Sequence, residues 1–165
     1  MEIADPKKVQ LIKNVSKIFS VFYHTKKSDD KINFEDAKEV LIFDPSLIGD
    51  TIMNIPFLKV VKSNFKNAKI TYLCAKHAEI ILKDTGLVDK FIICNGAQSF
   101  ISIQNILKDF KHLKNVLKEV NKVNYDVAIE ARGDFRYIYY MHFMKAKRKI
   151  SFNYSGGKCF LTDVI

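Results

Sequence analysis

Apolar residues return along this chain with two different periods, and the switches between them mark out the elements. Between residues 7 and 27, Leu11, Ile12, Val15, Ile18, Phe19 and Phe22 recur at three- and four-residue steps, with Lys8, Lys13 and Lys17 elsewhere on the wheel. This predicts a basic amphipathic helix, of the kind that either packs on a domain's flank or meets a membrane surface or partner. A polar stretch over 26–38, carrying Ser28, Asp29 and Asp30, reads as a linker. Val40-Leu41-Ile42-Phe43 is then an unbroken apolar run, the mark of a strand buried on both faces, and it ends at Asp44-Pro45. Beyond Ser46-Leu47-Ile48-Gly49, helical spacing resumes through Ile52, Ile55, Leu58, Val61 and Phe65, and Asp50 is a natural N-cap for that helix.

The alternation continues to the end of the chain. Segments 70–74, 91–94, 125–129 and 149–152 read as four more strands, and helical patterns fall at 77–83, 103–120 and 134–145. A turn is expected at Asn95-Gly96. In the long helix, Lys111, Lys114 and Lys118 oppose the apolar row and read as a solvated face. Five strands alternating with helices need right-handed crossovers, which gives an α/β class: a Rossmann-like three-layer α/β/α domain with a five-stranded parallel sheet over residues 39–165. Residues 1–38 precede it as helix and linker. The apolar ending Phe160-Leu161-Thr162-Asp163-Val164-Ile165 carries no polar tail, and predicts that more protein follows.

Composition narrows the partners. The 165 residues, 48% of them apolar, suffice for one domain with a core and fall short of two ordinary ones. Cys74, Cys94 and Cys159 lie far apart, two of them in apolar strand runs, so reduced thiols and a cytoplasmic home are expected. No stretch reaches the roughly 18 apolar residues of a spanning helix, and the start lacks a signal-peptide pattern. Lys and Arg number 27 against 18 Asp and Glu, a formal charge of +9. An anionic partner follows: nucleic acid, an acidic membrane surface or a phosphorylated substrate, unless the lysines reflect only a lysine-rich genome. Without an RNA-binding aromatic signature or zinc spacing, nucleic acid is not expected.

In an open parallel sheet, ligands bind beyond the carboxyl ends of the strands, where the strand order reverses. Two loops lie at such ends, 44–50 after the first strand and 130–136 after the fourth. Neither GxGxxG nor GxxxxGK[ST] is present, and the third strand ends in Cys94-Asn95 where a phospho-receiver would want aspartate. The first loop offers Asp50 behind Gly49. Glycine permits a tight turn and close ligand approach, so Asp50 is either a helix cap or a weak base for a hydroxyl that becomes acidic as it reacts. The second sets Arg132 and Arg136 around Asp134, either an anion clamp or a local ion pair with Asp134 capping its helix; both roles are compatible.

The ordered set of motifs resembles glycosyltransferase family nine, the heptosyltransferases of lipopolysaccharide core assembly. Ser46-Leu47-Ile48-Gly49-Asp50 matches the family's S-x-[LIM]-G-D after a hydrophobic strand, with Pro56 in the following helix. Glu130, Arg132-Gly133-Asp134-Phe135-Arg136 and Ala146-Lys147-Arg148-Lys149-Ile150-Ser151-Phe152, with Gly156-Gly157 behind, are similar to its strand-RGDLR-helix-AKRRIGF progression. Leu47-Ile48 stands where Ser-Leu is commoner. The resemblance covers residues 39–165 and implies the N-terminal, acceptor-binding half of a GT-B fold, with Asp50 as catalytic base in a metal-independent inverting transfer. It makes Ser46, Gly49, Arg132, Asp134 and Arg136 the candidate acceptor contacts. It also implies no cofactor and no metal in this half, a nucleotide-sugar donor such as ADP-heptose held by a C-terminal donor domain outside this sequence, and a phosphorylated lipid-linked saccharide acceptor at the inner face of the inner membrane. On that reading the chain alone is inactive in transfer. The rival reading is a non-catalytic Rossmann-like module that binds an anionic ligand.

Overall fold

The computed structural model describes residues 33–94 and 106–165, with Gln10, Asn14 and Thr25 besides. The expected basic helix over 7–27, most of the linker, the Asn95-Gly96 turn and the first residues of the long helix lie outside the described residues. The strands are β1 (Glu39–Asp44), β2 (Lys69–Cys74), β3 (Lys90–Ile93), β4 (Tyr125–Glu130), β5 (Ala146–Ser151) and β6 (Asp163–Val164). The helices are α1 (Ile48–Met53), α2 (Ile55–Asn64), α3 (Lys76–Leu82), α4 (Ile106–Val120) and α5 (Phe135–His142). All pairings are parallel, in the order β3-β2-β1-β4-β5-β6.

The unbroken apolar runs are explained by burial on both faces. Along β1 the side chains alternate: Val40 and Ile42 join one apolar cluster with Leu58 and Val61 of α2 and Leu82 of α3, while Leu41 and Phe43 join another with Val116 of α4 and Ile138 and Met141 of α5. Helices therefore cover both faces of the sheet, and each fully buried Leu or Phe contributes roughly 1.5–3 kcal/mol. Strand entry is fixed by carboxylates. Asp126 Oδ2 accepts from the amides of Lys38 at 2.8 Å and Glu39 at 3.1 Å, and Asp89 Oδ2 from Ile70 N at 2.7 Å.

The Rossmann-like parallel α/β sheet agrees with the sequence pattern, and three details differ. The sheet has six strands rather than five: β6 is only two residues long, below any periodic signal, and Arg148 ties it to β5 by bonding both oxygens of Asp163. β5 begins at Ala146, ahead of the expected start at Lys149, and its first half is basic and only partly buried. The single helix expected from Asp50 is two helices that meet at Asn54. Pro56 has no amide hydrogen and its ring clashes with the carbonyl four residues back, so the helix cannot run through it unbroken.

Candidate functional site

The strand order reverses between β1 and β4, so the loops that leave their carboxyl ends lie side by side. Each loop is anchored by a buried carboxylate at its strand's last residue. Asp44 is 1% exposed and accepts from the Ser46 hydroxyl, from Asn54 Nδ2 at 2.7 Å and from the Tyr72 hydroxyl at 2.6 Å. Burial, reinforced by Asp44, pushes the Tyr72 phenol up and the Cys74 thiol up to about 12, so Tyr72 keeps its proton and donates it. His77 Nε2 lies 2.8 Å from the Ser46 carbonyl, which fixes Nε2 as the protonated nitrogen. Together these bonds hold 44–46 and the α1–α2 joint as one unit.

Glu130 does the same for the second loop. It is fully buried and accepts from Arg132 N at 3.1 Å, Gly133 N at 2.8 Å and Ser151 Oγ at 2.5 Å. Burial pushes its carboxyl up to about 7 even though these hydrogen bonds pull the other way. Because the folded value lies above the ordinary one, Glu130 favours the fold fully below about pH 4.5, and that contribution is lost as pH rises through about 7. The swing is about 3 kcal/mol at most. Glu130→Gln should remove it: urea midpoints at pH 5 and pH 8 should converge in the variant relative to the parent. Parallel pH dependence in the two proteins would contradict this assignment.

From those anchors the exposed groups project. Asp50 is the third residue of α1, not its cap. Leu47 takes the capping position in extended conformation without a side-chain bond, because the loop buried at 44–46 delivers the chain into the helix there. The Asp50 side chain is 54% exposed, and its Oδ2 lies 3.8 Å from Nη1 of Arg132 on the neighbouring loop. Gly49 lies within α1, outside the left-handed region, with open space where a Cβ would stand. The expected tight turn is therefore absent there, and open access to the helix start remains. Ser46, by contrast, is buried with its hydroxyl on Asp44.

Arg132 and Arg136 have different surroundings. Asp134 caps α5 through Arg136 N at 2.9 Å and takes the guanidinium fork at 3.0 Å from Nε and 2.6 Å from Nη2. Burial alone would raise Asp134, yet the hydrogen bonds and charge of Arg136 outweigh it and hold the carboxyl below its usual range. The local ion pair is thus what the structure contains for Asp134 and Arg136, whereas Arg132 turns to Asp50. Both guanidiniums lie near the Tyr137 ring, at 5.9 Å for Arg132 and 5.6 Å for Arg136. Around Asp50, Leu47, Ile48, Ile52 and Met53 are all more than half exposed, an apolar rim on α1. Among the described residues no three His, Cys, Asp or Glu side chains gather as a metal site, and no helix is long and apolar enough to cross a membrane.

Sequence reading missed Asp44, Tyr72, His77 and Glu130 as parts of the site. The available signal was a carboxylate closing an apolar strand, seen in both Phe43-Asp44 and Ile129-Glu130.

A parallel sheet covered by helices on both faces, with charged groups at its switch point, defines a Rossmann-like domain. Neither a protein-family model nor a curated protein matches the sequence. Solved structures share its fold, and glycosyltransferases are among them. A glycosyl transferase family 9 protein from Veillonella parvula shares the fold with a TM-score of 0.64 at 20% identity, over 84% of this chain and 38% of its own. The E. coli ADP-heptose lipopolysaccharide heptosyltransferase II gives 0.61 at 15% identity, over 76% of this chain and 34% of its own. The E. coli heptosyltransferase WaaC with ADP gives 0.60 at 16% identity, over 77% and 41%. At these identities the likeness is one of fold, and this chain spans well under half of each relative.

Proposed function

We propose that this chain is the acceptor-binding part of an inverting glycosyltransferase that moves a sugar from a nucleotide-sugar to a lipopolysaccharide core or related glycan acceptor. The observation that carries the reading is the Asp50–Arg132 pair, exposed at the switch point of a fold shared with heptosyltransferases. Asp50 accepts the proton of an acceptor hydroxyl as that oxygen forms its bond to the anomeric carbon. The bond from that carbon to the nucleoside diphosphate breaks in the same displacement, on the opposite face, and the diphosphate leaves with the electron pair. Groups outside this sequence hold that leaving group.

Arg132 supplies positive charge beside the base without a carboxylate locked into its fork, which suits a phosphate on the acceptor. Arg136 acts through Asp134, fixing the start of α5. The apolar rim of α1 and the net charge of +9 support a lipid-linked, phosphorylated acceptor met at the cytoplasmic face of a membrane. The test is transfer by the protein together with its donor-binding part, reading the anomeric configuration of the product by NMR. Inversion at the transferred sugar is expected; retention, or hydrolysis of donor with no acceptor product, would contradict the reading.

A further inference from the structure

After β5 the chain crosses the mouth of β4 and is fastened there. Ser155 donates to the Gly133 carbonyl twice, from its amide at 3.3 Å and its hydroxyl at 2.8 Å, and its Oγ accepts from Phe135 N at 2.7 Å. This lays two aromatic rings against the loop that bears Arg132. Phe152 and Tyr154 are stacked, with centroids 5.3 Å apart and planes inclined by 13°. The contact is close enough that a Cβ on Gly133 would come within 2.8 Å of Tyr154 Cδ2 and 2.9 Å of Phe152 Cβ.

Tyr154 is nevertheless 69% exposed. A large ring that packs one face on a neighbour and leaves the rest to water contributes little to a core, yet it is already oriented by Phe152 and by the Ser155 bonds. Its place is set: beside Gly133, whose chain neighbour Arg132 reaches Asp50. The π face is electron-rich, and the C–H bonds on one side of a pyranose ring carry small positive charges, so the two stack while the sugar's hydroxyls point outward to polar groups. A preset ring also gives up little conformational freedom when a ligand arrives.

We propose that Tyr154, backed by Phe152, is the stacking platform for a pyranose ring of the acceptor saccharide, setting that ring beside Asp50 and Arg132. The proposal rests on the acceptor-site reading above and adds the residue that selects a sugar ring over other phosphorylated molecules. A nucleobase could also lie on an exposed ring, and adenosine separates the two in the experiment below.

Saturation-transfer NMR with glucose 6-phosphate as the probe tests it. Saturating the protein's aromatic protons should carry magnetisation to the ring C–H protons of the sugar, and Tyr154→Ala should abolish that transfer and weaken binding roughly five- to tenfold. Tyr154→Phe should preserve both, which guards against a loss of fold. No transfer to the sugar in the parent protein, or equal binding by parent and Tyr154→Ala, overturns the platform. So does adenosine receiving the transfer while the sugar does not. Failure of the underlying reading looks different: there, Tyr154→Ala weakens the probe but Arg132→Ala does not.

Discussion

On the proposed function, replacing Asp50 by alanine is expected to slow sugar transfer by the protein together with its donor-binding part about 100- to 10,000-fold, the usual contribution of a positioned general base. The size of the effect is separable from stability. Asp50 is half exposed, and its ion pair with Arg132 spans 3.8 Å between two part-exposed side chains, so losing it costs about 0–1 kcal/mol. The variant should melt with the parent and bind the nucleotide-sugar with unchanged affinity, because the donor site lies elsewhere on this reading. Asp50→Asn keeps the shape and should be nearly as slow. Steady-state rates for both variants, with thermal unfolding alongside, check the expectation. Transfer within about threefold of the parent in a folded Asp50→Ala protein would remove Asp50 from the chemistry.

The second large effect falls on folding. Gly133 has φ of +70°, and a Cβ there would stand 2.8 Å from Tyr154 Cδ2, 2.9 Å from Phe152 Cβ and 3.0 Å from the Phe152 carbonyl oxygen. Two penalties therefore coincide in Gly133→Ala: about 1 kcal/mol for a left-handed backbone with a side chain, and about 1–3 kcal/mol for forcing neighbours apart. The sum, roughly 2–4 kcal/mol, is a large share of a domain's 5–15 kcal/mol. Gly86 provides the internal control, since it shares a φ of +70° but has nothing within 4 Å of the added carbon. Gly86→Ala should show the backbone penalty alone. Equal urea midpoints for the two variants would mean that the aromatic pair yields freely to the methyl group, and that the loop is less tightly fastened than its contacts indicate.

What could be read from the sequence, and what could not, divides along a physical line. Strands buried on both faces write themselves as largely apolar segments, so β1, β2 and β4 and their parallel arrangement were legible, as was the cap at Asp134. The half-exposed start of β5 and the two-residue β6 leave no such trace, and the break at Asn54 was hidden because Ile52, Ile55 and Leu58 keep helical spacing across it. Candidate groups followed the same rule. Local spacing located Asp50, Arg132, Asp134 and Arg136, but which arginine pairs with which carboxylate depends on the neighbouring of β1 and β4. Asp134 takes Arg136 through a two-residue reach, which leaves Arg132 for a carboxylate on another loop. Asp44 and Glu130 are charged residue types in fully buried places, against the usual expectation that carboxylates face water. Only the donors that converge on them from distant segments make those positions tolerable.

On the proposed function, a reacting hydroxyl meets Asp50 at the mouth of the sheet. A crystal structure of the protein with its saccharide acceptor bound measures that directly. The attacking hydroxyl should lie within about 2.6–3.2 Å of an Asp50 carboxylate oxygen, with Arg132 on the acceptor's anionic group. An acceptor whose reacting hydroxyl is held by another side chain, with Asp50 facing solvent, would contradict it.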